Sequence, residues 1–145
     1  MILIDANLLL YAYDATSIHH VAARTWLQEA FSRDEPVRLA WVVILAFLRL
    51  TTQPAILDRP LSLDDSISIV QEWLDRPNVA IIAPTVRHWE LLSRILVEGQ
   101  AKGRLVTDAH LAALAVEHGA VLCTNDRDFS RFPGLKWFNP LEVKI

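Results

Sequence analysis

Three short stretches, Ile2–Ile4, Val79–Ala83 and Val121–Cys123, are apolar at every consecutive position, and this constrains the fold more than any other feature of the chain. A strand with one wet face alternates apolar and polar residues. A strand apolar throughout needs cover on both faces, which is the habit of parallel sheets. The intervals between these stretches carry helical spacing instead. Leu8–Tyr13 is apolar and predicts a helix. Ser17 is placed to cap a helix running to about Ser32, with Ala22, Trp26 and Ala30 beside Ala23, Leu27 and Phe31 on one face. Val37–Ala40 is a weaker strand candidate. Trp41–Leu50 reads as a helix, because Arg49, Thr51 and Thr52 then gather at its end, and Pro54 and Pro60 mark a loop after it. Ser62 opens a further helix with Asp65 three residues on, and Ile67, Val70 and Leu74 share a face. Thr85–Gly99 follows, with Trp89, Leu92 and Leu96 in register. Strands alternating with helices predict a three-layer α/β/α domain with a mainly parallel central sheet. With no repeat, low-complexity tract or linker, residues 1–145 are expected to form a single domain.

The totals exclude several classes. A chain of 145 residues, 52% hydrophobic and 21% charged, is globular and can bury a real core. No apolar run approaches the ~20 residues of a membrane span. The opening MILIDAN meets an acid at position 5 and lacks a basic lead, so it does not read as a signal peptide. Cys123 is the only cysteine, which excludes an internal disulfide and any cysteine-based metal site. The expected location is the cytoplasm. A net charge of −3 argues against a whole-surface nucleic-acid binder, but a local basic patch can act beside an acidic metal site.

The segment Val106–Gly119 predicts a helix apolar nearly all round, capped by Thr107 and stopped at Gly119, with one acid, Asp108, at its mouth. Asp5 follows the first strand at once. Asp126 and Asp128 follow the strand that ends at Cys123, in the run Thr124-Asn125-Asp126-Arg127-Asp128. Function in parallel sheets gathers beyond the carboxyl ends of the strands. Taken singly, each acid has a local explanation as a cap, a turn residue or a partner of Arg127 or Arg131. Taken together, such carboxylates repel one another until some protonate or a hard divalent cation joins them. Mg²⁺ in such a cluster activates water against a phosphodiester. His88, His110 and His118 form no zinc pattern, although His110 lies within a turn of Asp108. Arg49, Arg87, Lys102 and Arg104 could touch phosphates, but a solvated surface is the simpler reading of each. A phosphatase with Asp5 as covalent nucleophile would want a second acid two residues on, where Asn7 stands.

The stretches MILIDANLLLYAYD, LVTDAHLAALAVEHG and TNDRDFSRFPGLKWFNPL together resemble PIN-domain ribonucleases, and more narrowly the VapC-type toxins of bacterial VapBC toxin–antitoxin pairs. The resemblance spans nearly the whole chain, with the motifs in family order and spacing. It implies a PIN-like fold and a Mg²⁺- or Mn²⁺-dependent endoribonuclease. Asp5 and Asp108 match the principal metal ligands, and Asp126 matches the acid that completes the site, with Asp128 close by. Asn7 and Thr124 match small polar positions that hold ligands or the attacking water, and Asn125 sits beside them in a supporting place. The resemblance also implies an RNA substrate involved in translation, a cognate VapB-like antitoxin that blocks the site, and a homodimer. One departure stands out. The usual glutamate of the helix matching WVVILAFLRL is missing around Ala46, with no acid from Val37 to Ile56. Three explanations stand: natural loss in a subgroup, an engineered inactivating change, or an RNA- or antitoxin-binding domain with weak or no cleavage.

Overall fold

The computed structural model describes residues 1–142; residues 143–145 of the expected single domain lie outside the described residues. Five strands form one all-parallel sheet in the order β3-β2-β1-β4-β5. They are β1 (Ile2–Ile4), β2 (Val37–Ala40), β3 (Val79–Ile82), β4 (Val121–Cys123) and β5 (Trp137–Phe138). Six helices connect them: α1 (Ala6–Tyr13), α2 (His20–Ser32), α3 (Trp41–Thr51), α4 (Leu63–Leu74), α5 (His88–Glu98) and α6 (Leu105–His118). Helices α1 to α4 pack among themselves, and α5 packs on α6. With right-handed crossovers, the first four cover one face of the sheet and the last two cover the other. The expected three-layer α/β/α architecture is what the structure has. Among the described residues, no helix is long and apolar enough to cross a membrane.

The consecutive apolar runs are sandwiched as their pattern requires: Leu3, Ile4, Leu122 and Cys123 are completely buried. Helix α6 lies against this layer with Ala109, Leu111, Ala112, Ala113, Leu114 and Ala115 all buried, its alanines allowing close approach. Gly119 ends it in the left-handed region at φ 66°, where a side chain would be strained. Ser62 caps α4 as expected, its hydroxyl accepting from Asp65 N.

Several local expectations shift. Thr107 does not cap α6, which starts two residues earlier from a turn at Lys102 and Gly103; its N-cap, Arg104, makes no side-chain cap bond. Ser17 lies outside α2; its hydroxyl accepts from His19 N one turn before the helix begins. Ala22 is exposed, and Ala23, Leu27, Ala30 and Phe31 carry the buried face. In α5, Leu91 and Ile95 form the buried stripe, while Leu92 and Leu96 are half-covered and Trp89 is exposed. In α4, Ile67 faces out and Ser66 faces in, because its hydroxyl is satisfied by Thr51 Oγ1 at 2.9 Å. The C-terminal Trp137-Phe138, expected only as a tail, is the fifth strand.

Gly99 closes α5 against the ring of Phe132, where an added Cβ would stand 2.6 Å from Cδ1. Both residues are buried, so the ring has little room to move. Gly99→Ala is expected to destabilise the fold by ~1–3 kcal/mol, the usual cost of overpacking, measured by urea unfolding.

Candidate active site

The sheet register builds the site. Ile4 pairs with Cys123, so Asp5 and Thr124 leave the sheet side by side, and Asp5 N donates to Cys123 O at 3.0 Å. From β1 the chain moves away towards β2 and β3, while β4 and β5 lie on its other side. The crevice between β1 and β4 is therefore a topological switch point, the usual ligand position in an open parallel sheet. Asp5 is the N-cap of α1, one carboxylate oxygen accepting from Ala6 N at 2.7 Å. Its other oxygen accepts from Thr124 Oγ1, also at 2.7 Å. Thr124 is completely buried. While its hydroxyl donates to Asp5, it accepts from Asp126 N at 3.0 Å and from Asn7 Nδ2 at 3.3 Å. A single hydroxyl thus fixes Asp5, Asn7 and the start of the Asp126 turn.

Around this hub lies a chain of amides. Asn7 Oδ1 accepts from Asn125 N at 3.4 Å. Asn125 Nδ2 donates to the Tyr11 hydroxyl at 3.3 Å, and its Oδ1 accepts from Asn139 Nδ2 at 2.8 Å. Asn139, just beyond β5, then accepts from Leu141 N. Tyr11 and Asn139 were not among the expected supporting residues, and only the pairing of β5 brings Asn139 into range.

Asp126 caps the 3₁₀ turn Arg127–Arg131, its carboxylate accepting from Asp128 N at 2.9 Å. Asp128 pairs neither with Arg127 nor with Arg131. Its partner is Arg104 at 3.6 Å; Arg127 pairs with Glu142, and Arg131 donates to Gly99 O. Asp108 sits in the first turn of α6 and feels all of these acids. Its pKa is pushed from 3.8 to about 6, first by burial, then by the charges of Asp5, Asp126 and Asp128, with Arg104 opposing. Burial also raises the pKa of Asp5, against the hydrogen bonds from Thr124 and Ala6, and Asp126 adds to the rise. The four acids from three separate segments therefore act on one another. Among the described residues, no three His, Cys, Asp or Glu side chains converge closely enough to grip an ion as they stand, so electrostatic reach exceeds ligating contact here. The donor set is entirely hard oxygen, and its mutual repulsion is what a divalent cation relieves, so the residues fit Mg²⁺ or Mn²⁺.

Helix α3 adds no acid. Ala46 is half-buried, and its neighbour Phe47 is fully buried against Tyr13 and Trp73, with ring centroids 5.6 and 4.6 Å away. His88, His110 and His118 hold no metal cluster among the described residues. They serve packing instead. His88 bridges the buried carboxylate of Glu117 at 3.1 Å and His110 Nδ1 at 2.9 Å, which clamps α5 to α6. His118 holds Ala83 O. Cys123 is buried with its thiol pKa pushed up to about 12, which removes it as a nucleophile.

The crowding at Asp108 has a measurable sign. Its folded pKa lies above the ordinary 3.8, so the stabilising contribution is complete below that value and is lost as pH rises through about 6. In metal-free protein Asp108→Asn is expected to raise the thermal midpoint by about 2–4 °C near neutral pH, with the gain vanishing towards pH ~4. Differential scanning calorimetry across that range checks both the direction and the pH window.

Comparison with known proteins agrees with this geometry. Residues 2–135 match the PIN domain family. The chain is 46% identical to Ribonuclease VapC37 of Mycobacterium tuberculosis over 140 residues, 97% of each protein. It is 36% identical to Ribonuclease VapC33 from the same organism over 141 residues, covering 97% of this chain and 99% of the relative. Among solved structures, VapBC2 from Rickettsia felis bound to a promoter DNA fragment superposes with a TM-score of 0.70 at 19% identity, covering 96% of this chain and 98% of that one. VapC20 of Mycobacterium tuberculosis, described as a Sarcin-Ricin loop cleaving toxin, superposes with a TM-score of 0.66 at 17% identity, covering 94% and 99%. With the family matched over most of its length and a relative this similar end to end, the chain belongs to the PIN domain family, in its VapC branch.

Proposed function

We propose that this protein is a metal-dependent endoribonuclease and the toxin of a type II toxin–antitoxin pair. The observation that carries the reading is the gathering of four carboxylates from three segments at the β1/β4 switch point, where burial first and then the charges of Asp5, Asp126 and Asp128 push the Asp108 pKa up to about 6. Its similarity to proteins named ribonucleases supports the same reaction class. Asp5, Asp108 and Asp126 are the proposed Mg²⁺ or Mn²⁺ ligands and catalytic acids, with Asp128 as an outer ligand. Asp5, Asp108 and Asp126 would hold a divalent cation, whose charge would offset theirs and which would supply an activated water against the RNA phosphodiester. Thr124 and Ala6 N hold the Asp5 carboxylate in one orientation before anything binds, and Asn7 ties the Thr124 hydroxyl to the Asn125 backbone just ahead of the Asp126 turn. Because α3 offers no acid, we infer one well-held cation, with a second held weakly.

A VapB-like antitoxin is the proposed partner, covering the acidic crevice. It is supported by the likeness of the fold to toxin subunits solved as VapBC complexes. Homodimerisation, a cytoplasmic location and an RNA target in translation are further parts of the proposal.

Purified protein is expected to cut total bacterial RNA into discrete fragments with Mn²⁺ or Mg²⁺, not with EDTA, and Asp5→Asn is expected to abolish cutting. The fragments should end in 5′-phosphate and 3′-hydroxyl groups. Cyclic phosphate ends, or cutting that persists in EDTA, would overturn the metal–water route. No cutting by a folded protein that still binds Mn²⁺ would favour a binding-only domain disabled at the Ala46 helix. Thr124→Val keeps the side-chain volume but strips Asp5 of its donor and leaves Asp126 N without an acceptor. It is expected to lower stability by about 1–3 kcal/mol and the cleavage rate by at least tenfold, read by urea unfolding and by fragment formation.

A further inference from the structure

The charged groups whose fields reach Asp108 are three carboxylates and one cation, Arg104. Four carboxylates around a single divalent cation still leave the crevice negative, and an RNA strand brings more negative charge to it. A polyanion therefore needs a positive contact at the rim, and Arg104 is built into that position. It caps α6 one turn before Asp108. The loop that presents it is tightly wound, with Gln100 and Gly103 both at positive φ and turn hydrogen bonds from Ala101 N to Leu96 O and from Val106 N to Gly103 O. The end of α5 that leads into this loop is tied to the far end of the 3₁₀ turn that Asp126 caps. Arg131 donates to Gly99 O at 3.2 Å, and Gly99 is packed directly on Phe132. As the N-cap of the helix that carries Asp108, Arg104 has its backbone set beside that acid, while its side chain is 80% exposed.

Its one partner among the described residues is Asp128, at 3.6 Å, itself 38% exposed. That distance is longer than the 2.7–2.9 Å of a strong charge-assisted bond. Pairs this open to solvent are weak and exchange readily. Of the other cations, Arg131 donates to the Gly99 carbonyl, and Arg127 pairs with Glu142 at 2.9 Å, a shorter pair than that of Arg104 although equally open to solvent. Lys102 shares the loop but faces no acid among the described residues.

We propose that Arg104 is the residue that takes a phosphate of the bound RNA strand, and that its pair with Asp128 is a parked position released when a cation draws Asp128 away. Cation loading and RNA capture are then coupled through one side chain. This rests on the nuclease reading for its substrate, but its test does not depend on cleavage.

The test is anisotropy of a fluorescein-labelled short single-stranded RNA, titrated with protein in EDTA and again with Ca²⁺. Wild type is compared with Arg104→Gln, Lys102→Gln, Asp128→Asn and the double variant Arg104→Gln/Asp128→Asn. Arg104 and Lys102 are exposed and lose the same charge, so the pair separates a specific contact from a general field, and thermal midpoints confirm that each variant is folded. Losing one phosphate contact to a single strand at ~0.15 M salt weakens binding on the order of fourfold and lowers the salt slope by roughly 0.7. That loss is expected for Arg104→Gln with Ca²⁺, and it should shrink in EDTA, where Asp128 holds the side chain. Lys102→Gln should show a smaller loss, equal in both conditions. Asp128→Asn should tighten binding in EDTA, and by more in the presence of Arg104 than in the double variant. Equal losses for Arg104→Gln and Lys102→Gln, or an Asp128→Asn gain independent of Arg104, would overturn the proposal, as would absence of RNA binding altogether. RNA binding with the expected Arg104 dependence but no cutting under Mg²⁺ or Mn²⁺ would instead remove the nuclease reading and leave this one standing.

Discussion

The hydroxyl of Thr124 is the atom on which this site depends. It is wholly buried, it donates to one carboxylate, and it accepts from the backbone that starts the turn carrying two more. A serine could make the same bonds, but it would lack the buried methyl group that limits rotation about χ1. The hydrogen bond is possible because the register of β1 and β4 sets Asp5 and Thr124 abreast. Leu122 and Cys123 are completely buried on opposite faces of β4, so shifting that pairing by one residue would set each into a core position packed for the other, and the buried strand enforces the geometry of the polar site. Core packing and site assembly are here the same event.

The acids themselves work against the fold. Asp5 and Asp108 both sit above their ordinary pKa, and in each case removal from water is the first cause and neighbouring carboxylates follow. A protein that needed only stability would place amides there. Binding of a divalent cation to the folded state alone would reverse this penalty by mass action. The PIN domain scaffold absorbs the cost through the packed alanines of α6 and the double-sided cover of the sheet, which leave little freedom for the crevice to spread apart.

Much of this was legible in the sequence because the signals were local and strong. Runs such as Ile2–Ile4 and Val121–Cys123 have one good solution, and an acid placed directly after a buried strand falls at a known edge of a parallel sheet. What could not be read came from long-range pairing. Trp137 and Phe138 are too few to show any period, yet they pair with Leu122 and Cys123 and bring Asn139 to Asn125. Trp89 looks like a core residue by composition, but the stripe that meets α6 runs through Leu91 and Ile95, one position round the helix. The cap of α6 was placed three residues late because Thr107 is a better cap by residue type than Arg104, whereas the turn at Lys102 and Gly103 supplies the first hydrogen bonds from the backbone. Arg104 stood in the sequence only as one of four cations able to touch a phosphate, with a solvated surface the simpler reading; its partner Asp128 lies on another element, and only the folded loop shows which charge it faces.

The hydrogen bond between Asp5 and Thr124 closes a span of 119 residues, and the amide chain continues to Asn139 near the other end of the described chain. Chains emerge from the ribosome N-terminus first, and contacts this distant in sequence form late. Asp5 therefore leaves the exit tunnel long before the strand that orients it exists. A growing chain holds its first acid with nothing to aim it, and the crevice comes into being only when nearly the whole domain has been made. Such a topology separates the synthesis of the protein from the onset of its chemistry, so a nascent or truncated copy carries the acids without the arrangement that makes them a site.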